Sequence, residues 1–566
     1  MKKVISVLLT LLMFFSICST AVFAIGDIGS ETSSIQVHSS KSQIPVVRIL
    51  GDGEPLYNEK QEKIVHIRSL SFGSKSEEDD EDSDILSSVA NILLPFLIDG
   101  LLKDEWDAYY ENLQNEISDI FSEIILDNNG EVTNNTGISE ARKAEMENYF
   151  TKEYTEKIQK RGYYMNNDYR FWYDWRLDPI YTAELLHEHI QKVKNATRCD
   201  KVAIMASCLG TIITTTYIKL YGTEDLYGVG FTGAVSGGAE ALSEAISGKF
   251  DIDGYAINRT LIDSDYVGEF NVDKFITSSI ELLTAAGVFN YLEEGVKETL
   301  YAKLVEGVTS ALALSTLFTF PTYWAAVSED DYDDALVYVF GPEGSEKRKT
   351  YAGLIEKIEN YNNLVRKNYD EIIRSISTDE NGVKFGAVSK YGFQILPICQ
   401  SYDVVSDQFV SVNHSSFGAT TSTIYDTLSD DYIQSRIDAG FADYISPDKK
   451  VDASTCAYPE STWFMKNVSH SEYTTFERKL LYDVITAPGD KEITCGDTVD
   501  GLTYSRFLVY DYETDIMATM TEENCNTENW LADDKLEKPE GPLARVFVFL
   551  RAFFNWLIDL FKFTNK

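Results

Sequence analysis

Between Lys201 and Gly222 the chain reads KVAIMASCLGTIITTTYIKLYG. Its first part, Val202–Ala206, has the apolar character of a buried strand. Leu209–Leu220 has the spacing of a helix, closed by Gly222. The junction is Ala206-Ser207-Cys208-Leu209-Gly210. A sharp strand-to-helix turn leaves room only for small residues two before and two after the residue at its tip. Centring on Cys208 puts Ala206 and Gly210 at those positions. Centring on Ser207 would put Met205 and Leu209 there, and both would clash. Spacing therefore selects Cys208 as the candidate nucleophile. At a helix N-terminus the dipole and free amides favour a thiolate, which is the attacking form of the side chain.

A nucleophile of this kind needs a base and a carboxylate to orient it, and on such a turn they follow in the order nucleophile, acid, histidine. The segment Tyr391–Ile398 reads as a strand, and the loop after it carries Asp403 and Asp407. Asp407 is the expected acid, with Asp403 as the alternative. Only His414 and His470 follow it. His414 is too near Asp407 to occupy a separate loop easily, so His470 is the expected base. An oxyanion hole needs two backbone amides. Leu209, next after the nucleophile, should supply one. The other should come from Gly51-Asp52-Gly53, after the early strand Ile44–Leu50, with Gly51 and Asp52 as candidates.

Composition narrows the alternatives. The 566 residues carry a formal net charge of −40, which argues against nucleic acid and against broad attraction to anionic membranes. Apart from Cys18 the cysteines are Cys199, Cys208, Cys399, Cys456, Cys495 and Cys525, with no C-x-x-C pair, so neither zinc nor any other metal or cofactor is expected. A disulfide such as Cys495–Cys525 is compatible with an exported chain. His187 and His189 are two apart on an expected helix, Ile180–Val193; they share no face and read as surface or partly buried residues.

The N-terminus, MKKVISVLLTLLMFFSICSTAVFA, has the charged, apolar and small-residue regions of a signal peptide cut after Ala24, implying a secreted or cell-surface protein. Ser76–Asp84 is an acidic run, read as a solvated loop leading into the apolar segment Ile85–Leu102. Residues 104–160 look mostly helical, and Tyr169–Trp175 looks like a strand. Strands and helices alternate to Gly238, which argues for a parallel sheet covered on both faces. Long helical stretches follow, clearest over Phe275–Gly287, Tyr291–Phe318 and Tyr351–Ile376. The expected organisation is a signal peptide (1–24), an α/β core in two parts (25–238 and 386–532), a helical cap inserted between them (239–385), and a linker with an amphipathic C-terminal helix (533–566). Over 543–563 that helix sets Arg551, Asn555, Asp559 and Lys562 against Phe547, Leu550, Phe554, Leu557 and Phe561. It suits either a membrane interface or docking onto the protein's own body.

With these residues assembled, the chain resembles the lecithin:cholesterol acyltransferase-like branch of the α/β-hydrolases. Pro45–Gly51 is similar to that family's opening strand and oxyanion glycine, and Tyr173-Asp174-Trp175-Arg176 to its Tyr-Asp-Trp-Arg signature. Lys201–Gly210 is similar to its elbow, Pro321-Thr322-Tyr323-Trp324 to its cap region, and Asp407 and His470 fall where its acid and histidine belong. The family uses serine where Cys208 stands. The resemblance implies an α/β-hydrolase fold with a helical cap. It also implies a hydrolase or acyltransferase acting on an acyl ester, thioester or other lipid-like small molecule. The competing expectations are a hydrolase-like binding module without chemistry, and a surface-retention protein whose key element is the tail.

Overall fold

Side chains alternate along Val202–Cys208, and that alternation sets the architecture. All seven residues are buried. Ala203 and Met205 enter one apolar cluster, Ile204 and Ala206 another. Such a strand has to be covered on both faces. The computed structural model describes residues 44–51, 55–64, 122–161, 169–249, 317–395, 399–511 and 516–525, with a few single positions elsewhere.

Eight strands form the central sheet: β1 (Val46–Ile49), β2 (Tyr169–Arg170), β3 (Val202–Cys208), β4 (Leu226–Ala234), β5 (Lys384–Tyr391), β6 (Thr462–Lys466), β7 (Phe507–Asp511) and β8 (Ile516–Thr519). Their order across the sheet is β8-β7-β6-β5-β4-β3-β1-β2. Every neighbouring pair is parallel except the β7–β8 edge. The fold is α/β, with a mostly parallel sheet between helices. On one face lie α1 (Pro179–Thr197) and α2 (Leu209–Tyr221), their apolar sides closing over Ile204, Val229 and Phe231. The described part of the insertion packs into this same cluster. It includes α3 (Glu240–Ser247), α4 (Tyr332–Phe340) and α5 (Ala352–Leu364), with Phe320, Tyr323 and Trp324 fully buried. The opposite face is covered by α6 (Thr475–Ile485), which starts on a capping box of Thr474 and Glu477.

Several boundaries differ from the sequence expectation. The strand expected over Tyr391–Ile398 is β5, seven residues earlier. Hydropathy misplaces it because β5 buries Ser389 and Lys390. Ser389 bonds Ser415 Oγ at 2.7 Å, and Lys390 lies 3.4 Å from Glu477 and 4.1 Å from the Tyr473 ring centroid. Within Tyr169–Trp175 only Tyr169 and Arg170 pair as a strand, at the sheet edge. The helix expected over Tyr351–Ile376 is broken at Val365 into α5 and a shorter helix, Tyr369–Ser375. Within the span expected to be mostly helical, Glu111 and Asn115 are helical, residues 122–139 are loop, and the helix Glu140–Tyr149 is capped by Ser139. Cys495 and Cys525 are not joined, because each thiol sits in its own environment: Sγ of Cys495 is 3.3 Å from Thr462 O, and Sγ of Cys525 is 3.5 Å from Glu522 O.

His189, read as surface or partly buried, is buried, with its ring among Phe150, Phe171 and Tyr149. The leader, the acidic run, the Ile85–Leu102 segment, Phe275–Gly287, most of Tyr291–Phe318 and, apart from Leu550 and Arg551, the tail helix lie outside the described residues. Among the described residues no helix is long and apolar enough to cross a membrane, and no group of three or more His, Cys, Asp or Glu could hold a metal ion.

Candidate active site

Strand β3 runs straight into α2, with Cys208 as both the last residue of the strand and the N-cap of the helix. Its backbone sits at φ 48° and ψ −126°, a conformation that side-chain-bearing residues adopt only under strain. The crowding expected around such a turn is present. A β-carbon on Gly210 would collide with the Ile49 carbonyl, its ideal position lying 2.9 Å from Ile49 C. Glycine two residues past the tip is therefore what lets α2 start directly beside β1. Thr211 secures the first turn: its Oγ1 donates to Cys208 O at 2.7 Å and accepts from Val235 N at 3.2 Å. Cys208 is buried. Ser207 is buried too and lines a small cavity with Arg48, Thr232, Tyr473 and Glu477.

The expected acid and base come together. His470, in the loop between β6 and α6, places Nδ1 2.7 Å from Asp407 Oδ2. The Asp407 carboxylate accepts, so Nδ1 carries the proton and Nε2 is the basic nitrogen. That Nε2 is buried and has no hydrogen-bond partner. The other carboxylate oxygen, Oδ1, accepts from Phe409 N at 3.1 Å and Val410 N at 2.9 Å. The backbones are joined as well, His470 N donating to Asp407 O at 2.8 Å. The ring packs against Phe409 with centroids 4.8 Å apart.

Its other side lies over Gly233, where a β-carbon would sit 3.1 Å from His470 Cε1. Gly233, at φ +51°, precedes Ala234, the register partner of Cys208. The imidazole thus rests on the strand next to the elbow, at the same end of the sheet. The two alternatives lie apart from this pair. Asp403 O accepts Ile424 N at 2.6 Å, and His414 Nδ1 makes an ion-pair contact of 2.9 Å with Glu240.

Of the oxyanion candidates, Leu209 is the first residue of α2, where amides have no acceptor within the helix. Gly51 is buried two residues past the end of β1, whose Ile49 is level with Ala206. Asp52 lies outside the described residues. The Tyr173–Arg176 signature acts here as a brace. Tyr173 Oη donates to Leu50 O at 2.7 Å, fixing the peptide that leads to Gly51. Arg176, fully buried, uses every guanidinium donor. Nε and Nη2 grip Asp174 at 2.9 and 2.6 Å. Nη1 reaches Ile124 O and Thr136 Oγ1, and Nη2 also reaches Thr136 O. Neither Gly233 nor the Tyr173–Leu50 bond was singled out from sequence. The tyrosine and the carbonyl are 123 residues apart, and no periodicity reports such a contact.

No family profile and no curated protein matches the chain. Among solved structures it is similar to a chain in the crystal structure of the Tle4–Tli4 complex, with 12% sequence identity over 61% of this chain and 75% of that one, and a TM-score of 0.24.

Proposed function

We propose that the protein is an acyl-transfer enzyme, a hydrolase or acyltransferase, that works on an ester or thioester through an acyl–Cys208 intermediate. One observation carries this reading. A buried Asp407–His470 pair, with its outer nitrogen unpartnered, rests on the strand beside a strained turn whose tip bears a thiol. Arriving from separate parts of the chain, the three side chains have the chemistry of a nucleophile, its base and the base's orienting carboxylate.

In the proposed cycle Cys208 gives its proton to His470 Nε2, and its sulfur attacks the acyl carbon. The oxyanion is held by the amides of Leu209 and of the Gly51–Asp52 segment. The bond to the leaving alcohol or thiol breaks, and His470 returns the proton to that group. Water or an acceptor hydroxyl then donates a proton to Nε2 and attacks the thioester, and Cys208 leaves with the proton. Asp407 keeps Nδ1 protonated throughout and stabilises the imidazolium. A thiolate is a good leaving group, so the first tetrahedral intermediate goes forward best when the departing group is also good. Thioesters and activated esters therefore suit the site better than amides. The apolar insertion and the amphipathic tail support a lipid-like acyl group, and the leader sequence supports action outside the cell or at its surface.

The test is a set of p-nitrophenyl esters and acyl thioesters offered to the wild type, Cys208→Ala and Cys208→Ser. Turnover in the wild type, with a trapped acyl-enzyme on Cys208 and none in Cys208→Ala, is the expected result. Equal turnover in Cys208→Ala would remove Cys208 as the nucleophile, and no turnover of any of these substrates by the wild type would favour a binding module.

A further inference from the structure

The carboxylate that orients His470 is itself held by a residue far away in sequence. Glu240, in the first turn of α3, accepts Ser411 N on Oε2 at 2.8 Å. Its neighbour Ala241 donates from N to Phe409 O at 3.3 Å. The strip Phe409–Ser411 is thus tied to α3 at two points. The same strip supplies the two amides that fix Asp407 Oδ1 and the ring that backs His470. Moving it would rotate the carboxylate away from Nδ1.

We propose that Glu240 is a positioning residue for acyl transfer: its side chain holds the Phe409–Ser411 strip in the register that keeps Asp407 on His470. This rests on the function proposed above. The charge of Glu240 is balanced by His414, 2.9 Å away on the short helix Val412–Ser415. Burial alone would push the His414 ring toward neutrality, but Glu240, with Asp331 and Asp330 from the loop before α4, outweighs it and raises its pKa. Burial likewise opposes the Glu240 charge, yet His414 and the Ser411 contacts hold its carboxyl below the ordinary range. The other charged groups nearby are Glu244, one turn further along α3 and bound by Ser401 N, and Lys249, paired with Asp331 at 2.6 Å and Asp334 at 3.0 Å.

Three substitutions separate reach from charge. Glu240→Gln keeps an oxygen for Ser411 N and loses the charge. Glu240→Asp keeps the charge and falls short of the amide. Glu240→Ala loses both. Two readouts apply, both well below each variant's melting temperature: kcat and KM for p-nitrophenyl butyrate, and the low-field NMR signal of the His470 Nδ1 proton, assigned by its absence in His470→Gln. Positioning predicts that Asp and Ala lose roughly 10- to 100-fold in kcat at unchanged KM, and that both lose the proton signal, while Gln keeps most of each. Should Glu240→Ala not fold, the comparison of Asp with Gln decides. A wild-type proton signal and kcat in Glu240→Asp would overturn the proposal, with Glu240 then a stabilising residue alone. If instead Cys208→Ala turns over as well as wild type, the catalytic reading fails. The proton signal still reports whether Glu240 holds Asp407.

Discussion

At Cys208 the backbone works against the side chain it carries. A φ of 48° with ψ −126° costs a residue with a β-carbon on the order of 1–3 kcal/mol, and glycine far less. Cys208→Gly should therefore exceed Cys208→Ala, which lacks the sulfur but keeps the β-carbon, by about 1 kcal/mol or more in unfolding free energy. Urea melts of the two proteins check this. A lower midpoint in the glycine variant would mean that the turn is not strained. The position of Cys208, rather than Ser207, at the tip of the turn was readable because steric rules act on near neighbours, Ala206 and Gly210, visible in five consecutive letters. That Asp407 and His470 would meet was readable from chain order and from their place after apolar segments. The role inferred for Glu240 was not readable, since its contact with Ser411 spans 171 residues and nothing in either local sequence reports it.

Among the elements, the sheet and its flanking helices were legible wherever hydrophobic periodicity was clean, as in β3, α1 and α2. It failed at β5, whose central position tolerates a buried lysine because Glu477 from α6 and the Tyr473 ring receive it. A polar residue satisfied by a distant partner reads as exposed until the partner is known. The Asp174–Arg176 brace belongs to this scale, because it pins residues 124 and 136 to the segment between β2 and α1. Truncating Arg176 would leave two carbonyls without their guanidinium donor and a nearly buried carboxylate with only the backbone amide of residue 176. Arg176→Ala should cost about 3–5 kcal/mol, readable by calorimetry. A loss under 1 kcal/mol would show that the loop reseats without the guanidinium.

For the molecule as a whole, two histidines set opposite slopes of stability against pH. Burial depresses His189 to about 4 from an ordinary 6.5, only partly offset by its bond to Tyr169 O. Between those values the unfolded chain binds the extra proton, so stability falls as the solution is acidified, by about 3 kcal/mol in all. The raised His414 acts on the other side of 6.5. Its contribution is complete below that pH and is lost as the pH climbs through its folded value. Glu240, depressed below 4.5, adds stability that is lost when the pH falls through its folded value. These three groups divide their effects on either side of the ordinary imidazole value, His189 and Glu240 weakening the fold toward acid and His414 toward alkali. His189→Leu should flatten the acid limb and His414→Gln the alkaline one, measured as chemical-denaturation free energy from pH 4 to 9. An acid limb left unchanged by His189→Leu would mean that the ring reaches water.

The crowding that bends the chain at the end of β3 comes from Gly210, Ile49 and the peptide itself, and the sulfur has no part in it. Oxygen or selenium carried on the same β-carbon would occupy the same point in space. A single-nucleotide change could therefore trade one chemistry for another without redrawing the scaffold.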